Sequence, residues 1–161
     1  MLPKGPAIPG QAGSHYWDDR AEFLTLSRAR DFLTSTPGAD RRQVFLAGDG
    51  GAAALAVSIA AHHPDVFAGV AAAGARLDAG TGDVDLSGLR AYLIVSKGEP
   101  DDVDAASRAR DAFVAAGSPV VLERYPAEPA LATDRALLLR ALSWLQGQPT
   151  PLPGAGDERW F

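Results

Sequence analysis

The 161-residue sequence contains no cysteine. Disulfides and thiolate metal sites are therefore excluded, and the absence fits a reducing compartment, so a cytoplasmic location is expected. No apolar run approaches the ~18 residues of a membrane-spanning helix. The first 15 residues hold three prolines and three glycines, with no apolar core of a signal peptide among them. An excess of positive charge is also missing: 15 Lys and Arg face 20 Asp and Glu, for a net charge of -5. That balance argues against nucleic acid or an anionic membrane as the main partner. What is present is a 47 % apolar chain, enough to bury a core in one domain.

The pattern alternates strand and helix. A helix is expected from Asp18 or Asp19 to about Ser35, with Phe23, Leu26, Ala29 and Leu33 as its stripe. A buried strand follows over 43–47, then a glycine turn and an almost wholly apolar helix over about 51–62. Small-residue, apolar and mixed strands are expected at 69–75, 91–96 and 120–125. A helix opening at Asp102 or Asp104 carries Val103, Ala106, Ala109, Phe113 and Ala116. A last helix, capped by Thr133 or Asp134, carries Leu131, Leu138, Leu142 and Leu145. Unbroken apolarity in the strands points to burial on both faces, as in a parallel sheet covered by helices.

The stretch from Gln43 to Phe67 organises the rest. A strand, a sharp glycine turn and a helix form the unit that presents a nucleophile or an anion site. Asp40-Arg41-Arg42, then Val44-Phe45-Leu46-Ala47-Gly48, the turn, and His63-Pro64-Asp65-Val66-Phe67-Ala68-Gly69-Val70 resemble the nucleophile elbow and next strand of the α/β-hydrolases. The nearest flavour is the phospholipase/carboxylesterase and feruloyl-esterase-like branch. The resemblance spans residues 18–146 and matches the C-terminal half of that family.

The resemblance implies a fate for each catalytic position. The family writes small-Gly-x-Ser-x-Gly-Gly; aligned without gaps, its serine falls on Gly50 and its two glycines on Ala52 and Ala53. The acid of the triad falls on Asp101, within Gly98-Glu99-Pro100-Asp101. The histidine after Tyr125-Pro126 falls near Pro129. The oxyanion strand should lie before residue 18, where no strand-like stretch occurs. A serine-hydrolase mechanism needs hydroxyl, imidazole and oxyanion donors together. The expected triad is thus degenerate, and the chain leans towards a pseudoenzyme.

Other candidates have plainer readings beside them. Gly48-Asp49-Gly50-Gly51 is either an anion-binding turn or a relic, with Asp49 adding repulsive charge. Asp49 as a carboxylate nucleophile would need a one-residue shift that the spacing to His63-Pro64 opposes. Asp101 and Asp102 are expected to cap a helix. His62 and His63 suit a helix C-terminus and lack a third ligand, so no metal is expected. His15 is a candidate ligand-binding residue or a surface loop histidine. Asp78, Asp83 and Asp85 lack calcium-loop spacing. Trp160-Phe161 is an aromatic pair that docks on a partner or on its own domain. No cofactor is expected.

The expected architecture is a three-layer α/β sandwich with a mostly parallel sheet of about four strands, resembling a truncated α/β-hydrolase. An irregular segment (1–17) precedes the domain (18–146), and an extended tail (147–161) follows. The family has about eight strands, so losing the first four leaves the strand at 43–47 on an open edge. A second copy, another protein chain or the N-terminal segment is expected to cover it. The expected function is non-catalytic protein binding or assembly. The alternatives are one part of a partner-completed serine esterase, or a small-anion binder at 48–51.

Overall fold

The computed structural model describes residues 19–74, 85–98, 100–126, 129–148 and 159–160. Four strands, β1 (Phe45–Asp49), β2 (Gly69–Ala73), β3 (Arg90–Ser96) and β4 (Val120–Tyr125), lie side by side in chain order. All three neighbouring pairs among them are parallel. Four helices accompany them: α1 (Asp19–Ser35), α2 (Ala53–His62), α3 (Pro100–Ala115) and α4 (Arg135–Leu145).

Alternation along the strands sorts the apolar residues into two cores. Val70, Ala72, Leu93, Val95 and Leu122 meet Ala53, Val57 and Ala60 of α2 and Ala106, Ala109 and Phe113 of α3. Ala71, Ala73, Tyr92, Ile94 and Val121 meet Leu137, Ala141 and Leu145 of α4. Helices therefore cover both faces, and the central strands read as unbroken apolar runs because neither face is wet. β2 is buried at every position. By contrast, four of the five residues of β1 are only half-buried, although Phe45, Leu46 and Ala47 are apolar.

Several expectations need correction. The first strand begins two residues later than expected, because Arg41–Gln43 form a 3-10 turn capped by the Asp40 side chain. It also runs through Gly48 and Asp49, so only Gly50 and Gly51 of the expected glycine turn lie in the bend. Phe23 does not belong to a buried stripe: it is 70 % exposed, and Phe32 is 56 % exposed. Helix α1 instead seats Ala21, Leu26 and Ala29, a phase that turns Phe23 outwards. Leu131 precedes α4 rather than belonging to it, and the buried face of α4 runs through Leu137, Ala141 and Leu145.

Asp101 and Asp102 lie inside the first turn of α3 and are not its cap. Pro100 opens that helix, since its fixed φ and missing N–H suit the first helical position. The two carboxylates face the positive end of the helix dipole from within. The C-terminal tail contributes β5 (Arg159–Trp160), antiparallel to β4, with Trp160 opposite Leu122. Trp160 thus returns its backbone to its own sheet; Phe161 lies outside the described residues, as do residues 1–18 with His15, and Asp78 and Asp83.

Candidate functional site

The bend between β1 and α2 is built from glycines for reasons of contact. A Cβ on Gly48 would stand 2.4 Å from the Ala52 carbonyl oxygen and 2.6 Å from the Ala56 Cβ. Helix α2 therefore lies directly against the strand that feeds it. Gly50 follows the strand with φ +56, and Gly50–Ala52 form a single 3-10 turn before α2 begins. Gly74, at the end of β2, backs onto Gly50 so closely that a Cβ there would lie 2.8 Å from the Gly50 Cα. A positive-φ residue between strand and helix is the geometry that projects a nucleophile above a parallel sheet. Here the space over Gly50 is open among the described residues, with none of their atoms within 4 Å of the position a Cβ would take.

Asp49 is not at that tip. It is extended, the last residue of β1, and its Oδ2 accepts a hydrogen bond from the Ala132 N–H at 3.2 Å. This bond ties the β4–α4 connection, which contains the buried Pro129, to the end of β1. Gly50 follows β1, Asp101 follows β3 and Pro129 follows β4, so all three sit at the C-terminal ends of parallel strands. Ligands of open α/β sheets bind at that end. Asp101 is exposed, and Pro129 offers neither proton nor acceptor in its ring.

The described imidazoles, His62 and His63, belong to the far end of α2. His63 Nε2 lies 2.7 Å from Glu22 Oε1 and links α2 to α1. His62 Nδ1 lies 3.5 Å from Ser58 Oγ, but 2.8 Å from the Ser58 carbonyl oxygen. A carbonyl only accepts, so Nδ1 carries the proton in that bond and cannot take one from the serine. No group of three or more metal-ligating side chains occurs among the described residues. Asp85 accepts from the Ser87 N–H at 2.8 Å, an ordinary local turn.

Two polar arrangements at β4 escaped the sequence reading. Tyr125 donates to Asp134 Oδ2 at 2.6 Å, while Asp134 Oδ1 caps α4 through the Leu137 N–H at 3.0 Å. The Tyr125 hydroxyl holds the Asp134 carboxyl below its ordinary range, and the same bond pushes Tyr125 up. Deeper in the second core, Glu123 is 1 % exposed. It accepts from the Tyr92 hydroxyl and from Arg140, whose Nη2 lies 2.5 Å from Oε1. Burial pulls the Arg140 guanidinium down, but Glu123 more than offsets this and leaves it above an ordinary arginine. A glutamate directly after the apolar run Val120-Val121-Leu122 was the available signal.

No helix among the described residues is long and apolar enough to cross a membrane. No protein-family model matches the chain, and no curated protein matches its sequence. Its structure is similar to the crystal structure of a Bacillus cereus carboxylesterase, with a TM-score of 0.53 and 13 % identity over 89 % of this chain and 73 % of that one. Four parallel strands in order, helices on both faces and this likeness together give the chain an α/β-hydrolase type of fold.

Proposed function

We propose that this chain is a non-catalytic α/β-hydrolase-like domain that acts in protein binding or assembly. The observation that carries the reading is Gly50: a bare backbone at φ +56 occupies the tip from which a nucleophile would project. Pro129 at the position of the base removes the second requirement of the mechanism. Asp101 then stands as an acid without the other two members of a triad. The test is hydrolysis of short-chain p-nitrophenyl esters by the purified chain. Turnover should equal that of the Asp101→Asn and Gly50→Ala variants; a rate well above both would end the proposal.

A second reading is favoured by the open space above Gly50. A partner chain could approach there and complete a split serine esterase by supplying a serine or histidine and the oxyanion strand. Co-purification of such a chain, with esterase activity in the complex alone, is the outcome that selects it. The anion-binding reading of residues 48–51 is the weakest, because the Asp49 carboxylate opposes an anion beside the helix N-terminus. A rise in melting temperature with phosphate or acetate would revive it.

A further inference from the structure

Among the described residues β1 is an edge strand of the sheet, and this edge has a direction, a hydrogen-bonding phase and a charge pattern. The Val44 carbonyl accepts from the Ala68 N–H at 2.8 Å, so Val44 turns its backbone groups towards β2. By alternation Leu46 and Gly48 do the same, and Phe45, Ala47 and Asp49 direct their N–H and C=O groups away from β2, where no strand pairs among the described residues. Natural edge strands are blunted with lysine, proline, bulges or inward charges. Between Phe45 and Gly48 β1 has none of these, and three of those four residues are only half-buried; the strand's one charge, Asp49 at its end, accepts from the Ala132 N–H through one carboxylate oxygen. Its ends differ in sign. Exposed Arg42 precedes it, with no ion pair among the described residues, and half-buried Asp49 ends it.

We infer that β1 is the pairing edge of a symmetric dimer of this chain, formed by antiparallel addition of β1 to β1 of a second copy. This deepens the assembly reading above and rests on it. A two-fold axis sets the same strand against itself in opposite directions. The Asp49 end of each copy then lies beside the Arg42 end of the other. This attractive charge contact occurs twice, whereas parallel stacking would set like charges together. The outward groups of Phe45, Ala47 and Asp49 gain partners, and one continuous sheet spans both copies. Closure about the axis uses up the β1 edge of each copy, so this contact does not propagate into a fibre.

Mass and amide exchange test this directly. Sedimentation equilibrium at about 10–100 µM, a range in which standard interfaces are populated, should give twice the 16.8 kDa chain mass. The Phe45 and Ala47 amides should be protected from exchange in the dimer and unprotected on dilution to monomer. Ala47→Pro removes an outward N–H and leaves the ladder to β2 alone, so it should yield monomer. Arg42→Glu and Asp49→Arg should each weaken dimerisation about tenfold or more, because like charges then meet across the interface. The double reversal should restore it. Arg42→Glu changes an exposed side chain, so it reports even where Ala47→Pro fails to fold.

A chain that stays monomeric, forms open polymers, or dimerises with no response to these variants overturns the inference. Failure here leaves the non-catalytic reading standing, because that reading is tested by ester hydrolysis alone.

Discussion

At the scale of residues, three glycines decide the shape of the bend, and they do so differently. Gly48 is required by space: any Cβ collides with the first residues of α2. Gly50 is required by conformation only, since its φ is positive and nothing stands over it. Gly74 is required by both. Gly50→Ala should therefore cost about 1–2 kcal/mol, the strain of a left-handed residue. Gly48→Ala should cost more, about 3 kcal/mol, because overpacking here presses on backbone that cannot yield. Urea unfolding of the two variants checks the order; equal losses would mean that α2 is not seated on β1 as described. That glycines join this strand to this helix was legible from Gly48-Asp49-Gly50-Gly51. The collision at Gly48 was not, because contact with Ala52 and Ala56 depends on the angle at which the helix leaves the strand.

Among the elements, α4 is held by a buried ion pair as well as by apolar contacts. Arg140 of α4 reaches Glu123 of β4, and Tyr92 of β3 donates to the same carboxylate. Around them Trp144 stacks edge-on to Tyr92, with ring centroids 5.8 Å apart, and Arg90 lies 4.8 Å over its ring. Removing one partner of such a buried pair strands the other. Glu123→Gln should cost about 3 kcal/mol, at the low end for buried pairs, since the Arg140 side chain keeps 20 % exposure. The double change Glu123→Leu with Arg140→Leu should cost less than that single change, because no charge is left without its counterion. Chemical denaturation of both variants decides the point.

The cap of α4 carries a pH signature. Asp134 has its folded-state pKa lowered by the Tyr125 hydroxyl. Its contribution is present above the ordinary carboxylate range and is lost as acid carries the pH down through the folded-state value. Tyr125 is raised by the same bond, so its contribution holds below the ordinary tyrosine range and is lost as the pH climbs through its folded-state value. Tyr125→Phe should therefore flatten both limbs of a melting-temperature-against-pH curve. An unchanged acid limb would show that the Tyr125–Asp134 bond does not persist in solution.

At the scale of the whole molecule, the two cores share β2, β3 and β4, so neither can open without exposing the other face of the same strands. A single cooperative transition is expected, with far-ultraviolet and near-ultraviolet circular dichroism coinciding across the urea melt. Two separated transitions would mean that α4 and its polar contacts unfold as a unit of their own. β1 stands apart from this cooperation: it is apolar, terminal in the sheet and half-buried, and its edge is where assembly is inferred.

The alternation of apolar strands and helices was written in the sequence by itself, since side-chain period and burial on both faces follow from local pattern alone. So was the glycine-built bend between the first strand and its helix, because Gly48-Asp49-Gly50-Gly51 separates two apolar runs. Contacts between distant segments were decided by the tertiary structure. Only the packing of α1 turned Phe23 and Phe32 outwards, and only the closing of β4 against α4 brought Glu123 to Arg140, 17 residues further along the chain. The reason is physical: a residue's period is set by its neighbours in sequence, but its burial and its charge partner are set by whichever surface the folded chain lays against it.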